Sequence, residues 1–322
     1  MRKLRWGILA TGRIAQTFAK GIAASKTGKL VAVGSRSLES AQAFCAERGG
    51  TPLSSYRAVA EHPDVDVVYI ATPHHTHEDD TSMCAKNGKH ILCEKPFTLS
   101  LESAERAIAE VRRNKVFFAE AFMYRFLPQT EAIVELLRGG LLGEIHHVRS
   151  EFGYQTSRDT QNFRFERKLG GGALMDVGVY CVSMSRLLLG QEPVRCEYAM
   201  EPSDRGYDAV GTGFLVFEGG KSASFSTGVH LEMKNRVHVY GVNGSMEIES
   251  PWMGNSVATV RLQGCEPTIH GPWPREDLYA YEIDAVHRSL SELEAPEMTI
   301  ADTLGQARAL DMLKSSAGLT FN

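Results

Sequence analysis

Apolar residues follow two rhythms along the chain. Over the first 120 residues, short apolar runs alternate with stretches of helical spacing. Residues 4–9 form one such run, followed by a glycine-containing turn and a helical stretch over 14–24. A second run, 30-LVAVG-34, precedes helical spacing over 38–48. The segment 65-VDVVYIA-71 has the apolar character of a strand buried on both faces of a parallel sheet. A helix over 78–87, a strand over 90–93 and a helix over 100–113, begun by Ser100 with Glu102 and Ser103 in its first turn, come next; a strand over 116–119 closes the series. Alternation of this kind, with right-handed crossovers, predicts an α/β fold with a doubly wound parallel sheet of Rossmann type.

Beyond residue 122 the grammar changes. Residues 128–138 read as a helix ended by Gly139 and Gly140, and 172–189 as a long helix ended by Gly190. Strand patterns then dominate, at 194–200, 212–218, 222–228, 236–242 and 257–263. Gly219-Gly220 and Asn243-Gly244 stand where hairpin turns are needed. Two helices, over 279–292 and 300–316, end the chain. The expectation is an α+β domain with a large, mostly antiparallel open sheet. Both faces of that sheet are fairly apolar, so one is assigned to cover helices and the other to meet a second subunit. The division falls between a domain of residues 1–122 and one of 123–322.

Composition narrows the function. A length of 322 residues suits two domains, and 43% hydrophobic with 23% charged residues is ordinary for a globular protein. The net charge of −4 gives no general attraction to nucleic acid or anionic membranes, so an anionic ligand needs a local site. Every apolar run falls well short of the roughly 20 residues of a membrane span. The basic-then-apolar start, 1-MRKLRWGILATG-12, passes directly into a glycine turn and a helical pattern, which makes it a first strand rather than a signal peptide. Cys45, Cys84, Cys93, Cys181, Cys196 and Cys265 form no C-x-x-C pair. That is the usage of reduced, mostly buried thiols in a cytoplasmic protein, not of a disulfide framework or a zinc site.

The chemistry concentrates at three places. The segment 7-GILATGRIA-15, between the first strand and first helix, departs from G-x-G-x-x-G by Ala10 and Ala15 but keeps the central Gly12. That position lets the backbone approach a pyrophosphate at the helix N-terminus. Gly7, Ala10, Thr11, Gly12, Arg13 and Ile14 are therefore cofactor candidates. The second strand runs into Gly34-Ser35-Arg36-Ser37 without the acid that accepts from an NAD ribose. Arg36 can pair with a 2′-phosphate and Ser35 can donate to it, which favours NADP over NAD. The strand over 90–93 ends in Glu94-Lys95-Pro96, placing Lys95 at the sheet's carboxyl edge, where nicotinamide is expected. Finally, 170-GGGALMDVGVY-180 puts Asp176 and Tyr180 four residues apart on one helix. A phenol is a weak base near neutrality unless an ammonium lowers its pKa, so Lys95 with Tyr180 forms a sensible acid/base pair and Asp176 can orient a hydroxyl.

The sequence GILATGRIA, then CEKP, then GGGALMDVGVY, resembles the glucose–fructose oxidoreductase, inositol dehydrogenase and MocA (Gfo/Idh/MocA) family over nearly the whole chain. The resemblance implies a Rossmann domain, an α/β domain used for oligomerisation (a homodimer or homotetramer), a catalytic Lys95 and the helix Asp176. Many members have histidine where this chain has Tyr180; the tyrosine is similar to the branch of dihydrodiol and NADP-dependent D-xylose dehydrogenases. The stretch 119-AEAFMYRFLPQ-129 resembles the same branch and implies that Arg125 lies near cofactor and substrate. The long secretory leader of glucose–fructose oxidoreductase is missing, so tight cofactor retention is not implied. The loop 73-PHHTH-77 is assigned by resemblance to the nicotinamide side of the cleft, which brings in Thr72, Pro73 and His77 with Glu94; a metal reading of its histidines lacks suitably spaced Cys or acids.

Arg164 and Asn162 precede the glycine-rich helix as substrate-contact candidates, and His146-His147 reads as structural. Trp252 and Trp273 have two readings, an apolar wall for a substrate ring or packing at the sheet edge. The expected function is NADP-dependent oxidation of a small polyhydroxy substrate, an aldose such as D-xylose or D-glucose at C1. A trans-dihydrodiol or keto-sugar substrate is the next alternative, and a non-catalytic NADP-binding sensor is the rival from another class.

Overall fold

The computed structural model describes residues 2–157, 162–273 and 278–321. The chain divides into two compact units, Met1–Phe126 with Glu276–Leu304, and Leu127–Arg275 with Gly305–Asn322.

In chain order the first unit contains β1 (Leu4–Leu9), α1 (Arg13–Ala24), β2 (Gly28–Gly34), α2 (Leu38–Arg48), β3 (Thr51–Leu53), α3 (Tyr56–Ala60), β4 (Val67–Ile70), α4 (His77–Lys86), β5 (His90–Glu94), α5 (Leu101–Asn114) and β6 (Phe118–Ala121). The strands form one parallel sheet in the order β3-β2-β1-β4-β5-β6. All four residues of β4 are buried, as a central strand covered on both faces requires. The short pieces β3 and α3 escape pattern reading. Three residues show no period, and Pro52 is tolerated because β3 is an edge strand. The five-residue α3 is started by Ser55, whose hydroxyl accepts from the Ala58 N–H at 3.1 Å.

The second unit follows with α6 (Pro128–Arg138), β7 (Ile145–Gly153), a π-helical turn over Leu174–Gly178 leading into α7 (Val179–Leu189), and the strands β8 (Arg195–Pro202), β9 (Asp208–Val216), β10 (Ser222–Gly228), β11 (Arg236–Gly241), β12 (Gly244–Glu249), β13 (Val257–Leu262) and β14 (Thr268–His270). These eight strands lie in the order β14-β13-β12-β11-β7-β10-β9-β8. Among the described residues β7 and β10 pair in parallel and the other neighbours are antiparallel. The π turn and α7 pack on one face of this sheet, against β7 and β10. Burial along β9 alternates accordingly, with Gly211, Gly213 and Leu215 covered and Thr212 and Phe214 exposed. The stretch Arg167–Leu189 is apolar enough to pass for a membrane span, but 89% of its most apolar window is buried inside the protein.

The last helices, α8 (Leu278–Ser289) and α9 (Ile300–Ser316), change the division read from sequence. A boundary at 122/123 assigns everything after it to the second domain. Instead, α8 belongs to the first unit and packs on α1. Tyr279 meets Phe18 edge-on at 6.2 Å, and Asp284 accepts from the Thr27 hydroxyl at 2.5 Å. An apolar stripe on α1 needs a cover, and only the folded chain shows that a helix some 250 residues away supplies it.

Candidate active site

In the first unit the sheet order sets β2, β1, β4 and β5 side by side, so the loops after Gly34, Leu9, Ile70 and Glu94 share one carboxyl edge. Between β1 and β4 the strand order reverses, which is where open α/β sheets bind ligands. Ala10 adopts a left-handed φ of 79° and donates its N–H to the Gly34 carbonyl at 2.9 Å, giving the tight turn without the first fingerprint glycine. Gly12 caps α1; a Cβ there would meet nothing within 4 Å. The first turn of α1 has no acid, so no carboxylate of its own offsets the positive end of its dipole. Ala15, in place of the third glycine, is fully buried. An open cradle at a helix N-terminus fits a pyrophosphate. Around it, Arg13 is exposed and Thr11 and Ile14 are half-buried.

Gly7 needs a different account from the one expected. It is buried within β1, and a Cβ would come 2.5 Å from Val59 Cγ1 of α3. It is glycine so that α3 can pack, not so that a cofactor can approach. At the end of β2, Arg36 is exposed and lies against the Tyr56 hydroxyl; burial pushes the Tyr56 phenol up while the guanidinium pulls it down. Ser35 is nearly buried, and its hydroxyl accepts from the Ser37 N–H at 3.3 Å.

The histidine loop is organised by Asp80, whose Oδ2 accepts from the Thr72 hydroxyl at 2.6 Å and the Thr76 hydroxyl at 2.8 Å. His75 is exposed next to half-buried Pro73. His77 is buried, with Nε2 2.8 Å from the Thr72 carbonyl and Nδ1 3.1 and 3.0 Å from those of Pro96 and Phe97. Its imidazole, pushed down by burial, therefore ties the end of β4 to the chain after Lys95 and does not present a free nitrogen to a cofactor. Glu94 fixes the other side: its carboxylate accepts from the Tyr69 hydroxyl and, at 3.2 Å, from the Lys95 N–H. The Phe97 N–H donates to Glu120 at 2.9 Å, and the Lys95–Pro96 peptide is cis. Half-buried Lys95 thus emerges from a backbone held at both ends. Arg125 is buried within the same unit, donating to the Glu297 carbonyl at 3.3 Å and pairing with Asp302 at 3.6 Å.

In the second unit Asp176 lies within the π turn, not on a regular α-helix; π turns occur often at functional sites. Its Oδ2 accepts from the Tyr154 hydroxyl at 2.5 Å, and its Oδ1 pairs with Arg164 Nε at 3.2 Å. Burial and the Asp176 charge together push the Tyr154 phenol well up, so it stays a donor. Asn162 accepts from the Arg164 N–H at 3.0 Å and so caps a local turn. Tyr180, in the first turn of α7, packs against Phe152 at 5.3 Å and Trp252 at 5.7 Å. Trp252 stacks on Phe152 at 5.6 Å with ring planes 8° apart and has no exposed surface. It backs Tyr180 as packing and is not a wall offered to substrate. Trp273 is half-buried beside Leu136, Leu141 and Ile269 at the sheet edge. His147 bridges Ser222 at 2.9 Å and Ser224 at 3.2 Å, a structural role as expected.

Sequence comparison agrees with this architecture. Residues 4–122 match the model of an oxidoreductase family with an NAD-binding Rossmann fold, and residues 130–247 match the GFO/IDH/MocA C-terminal domain. The chain belongs to the Gfo/Idh/MocA family. It is similar to trans-1,2-dihydrobenzene-1,2-diol dehydrogenase of Xenopus laevis, 32% identical over 98% of this chain and 99% of the relative, and to the human protein of the same name at 29% over 99% and 98%. Among solved structures it is similar to aldose-aldose oxidoreductase from Caulobacter crescentus complexed with glycerol, with a TM-score of 0.91, 26% identity and 98% of each chain covered. It is also similar to a 3-ketoreductase from Actinomadura kijaniata in complex with NADP and TDP-benzene, with a TM-score of 0.89, 27% identity and 98% of each chain covered. The protein is an NAD(P)-dependent oxidoreductase acting on CH–OH groups.

Sequence reasoning missed Tyr154 on Asp176 and Tyr56 on Arg36. Each comes from an element whose register the sequence does not announce, and a tyrosine alone carries no motif. Asp80 stands four residues after Thr76, a spacing from which its role was readable.

Proposed function

We propose that this enzyme is an NADP-dependent dehydrogenase of a ring carrying adjacent hydroxyls, in the first instance an aldose oxidised at C1. One observation carries the reading: the Asp176 carboxylate is held by Tyr154 and Arg164 within a turn that leads directly to Tyr180. A carboxylate fixed in this way can accept from a sugar hydroxyl while the phenol handles the proton. A trans-dihydrodiol is the second reading, favoured by relatives named for that activity over their whole length.

The preference for NADP rests on the end of β2, which offers the cation Arg36 with Ser35 and no carboxylate. Ala10, Thr11, Gly12, Arg13 and Ile14 are assigned to the pyrophosphate, and Thr72, Pro73 and Lys95 to the nicotinamide side. Held by these residues, the nicotinamide would supply the hydride acceptor for oxidation and the hydride donor for reduction. Tyr180 takes the hydroxyl proton in oxidation and gives it back in reduction. The Lys95 ammonium favours the phenolate and, with Asp176, holds the reacting oxygen. Arg164 serves substrate through its pairing with Asp176. The enzyme is assigned to the cytoplasm, in keeping with six free thiols. It is assigned to a homo-oligomer formed through the face of the large sheet opposite α7, where Phe214 and Tyr240 are exposed.

The test is turnover of NADP and NAD against D-xylose, D-glucose, a trans-dihydrodiol and inositols, with three variants. Lys95→Ala and Tyr180→Phe are expected to lose at least a hundredfold in kcat, the low end of the ~10²–10⁴ that acid/base catalysis contributes. Arg36→Ala is expected to raise KM for NADP about tenfold or more, on the scale of a charge-assisted bond, and to spare NAD. Near-normal kcat in both Lys95 and Tyr180 variants rejects the mechanism. NADP binding without turnover of any substrate reinstates the sensor.

A further inference from the structure

The run Gly170-Gly171-Gly172 precedes the site helix, and the proposed chemistry gives it no role. Its neighbour explains it. Gly172 has a φ of 129°, and a Cβ on it would collide with Oδ1 of Asp208, the first residue of β9. The Asp208 carboxylate is fully buried. Its Oδ2 accepts from the Leu174 N–H at 2.7 Å and from the Tyr198 hydroxyl at 2.7 Å, while its Oδ1 has no hydrogen-bond partner. An anion therefore sits on the first turn of the helix that carries Asp176 and then Tyr180, where backbone N–H groups lack intrahelical partners. The start of that turn is fixed from two further sides. The Gly172 N–H donates to the Arg164 carbonyl at 2.8 Å, and the Thr227 hydroxyl donates to the Ala173 carbonyl at 3.2 Å.

We propose that Asp208 is a positioning residue for the reaction: its buried negative charge, seated over Gly172 and bonded to Leu174, holds the π turn in the register that presents Asp176 and Tyr180. Burying a carboxylate is costly, and an uncharged acceptor could satisfy the same two donors, so the charge itself needs a reason. The reason is the helix end it faces. The inference rests on the assignment of Asp176 and Tyr180 to substrate.

A pH dependence follows. The titratable and charged groups on surrounding elements are Tyr198 and Glu201 on β8, Tyr207 beside Asp208, Asp176 in the π turn, Cys181 on α7, Arg164 and Arg167 in the turns before the glycines, and His230 after β10. Of these, Tyr198 is the one bonded to the carboxylate. Burial pushes the Asp208 carboxyl up to about 6, and the Tyr198 bond works against that rise. The Leu174 N–H bond also lowers it, so the turn binds the ionised carboxylate better than the protonated one. Proton uptake as pH falls through that region therefore weakens this bond, although burial by itself favours the protonated form.

The experiment has two variants and two readouts. Asp208→Asn can keep both bonds through its one carbonyl oxygen but has no charge. Tyr198→Phe keeps the carboxylate and removes one donor. In the wild type, kcat is expected to fall on the acid side near pH 6, and amide-exchange protection over residues 173–179 to fall with it. Asp208→Asn should have a kcat at pH 8 at least tenfold lower, no acid limb near pH 6, and low protection at both pH values. Tyr198→Phe should move the limb and the protection change to higher pH. Protection needs no turnover, so it judges the role of Asp208 even if the substrate reading fails, whereas Tyr180→Phe judges that reading. A limb and protection profile unmoved by Tyr198→Phe overturns the proposal, including in the case where Asp208→Asn does not fold.

Discussion

Two glycines of the same motif separate packing from ligand approach. At Gly12 a methyl group has space in the protein itself and intrudes only on what binds there. Gly12→Ala is therefore expected to leave thermal stability nearly unchanged and to weaken NADP binding about tenfold or more, measured by cofactor titration. At Gly7 the methyl group is driven into Val59. Gly7→Ala is expected to cost about 1–3 kcal/mol, the usual penalty for overfilling a packed site, read by urea unfolding. Equal stability losses in the two variants would remove the distinction. The motif 7–15 announces a strand–turn–helix junction in sequence, yet the separate reasons for its two glycines appear only once α3 lies over β1. The same holds for His77. The family resemblance assigned its loop to the nicotinamide side, and its three carbonyl neighbours make the ring itself a tie between two strand ends.

Elements were legible where they were long or strictly periodic. The expected strand at 222–228 coincides with β10 and the helix at 300–316 with α9. Elements whose pattern is short or polar were not: β3, β14 and α3 have five residues or fewer, and β12 alternates serine and glutamate with its buried Met246 and Ile248. The π turn was unreadable because its partner is distant in the chain: Asp208 on β9 accepts from the Leu174 N–H. The aromatic stack behind Tyr180 also belongs to this scale, since β7 supplies Phe152, α7 supplies Tyr180 and the chain after β12 supplies Trp252. Trp252→Ala is expected to destabilise the protein by about 3–5 kcal/mol and to lower kcat, with Trp252→Phe milder in both. A variant of normal stability with only a raised substrate KM would return Trp252 to the substrate.

At the scale of the molecule, the large sheet has one face covered by α7 and another on which Phe214 of β9 and Tyr240 of β11 stand exposed among Thr212, Ser224 and His147. If this face joins subunits, replacing Phe214 and Tyr240 by glutamate is expected to convert a dimer or tetramer to monomers in sedimentation equilibrium. An unchanged mass counts against that assembly. The sequence by itself determined the alternating α/β half and the strand-rich half, and offered the turn before α1 with Lys95, Asp176 and Tyr180 as candidates, because local periodicity and turn chemistry are written in neighbouring residues. Only the tertiary structure decided that α8 returns to the first unit, that Trp252 is packing, that Tyr154 and Arg164 hold Asp176, and that Asp208 sits over Gly172. Each of these is a contact between residues distant in the chain, created when apolar faces and buried polar groups find partners that no local pattern specifies.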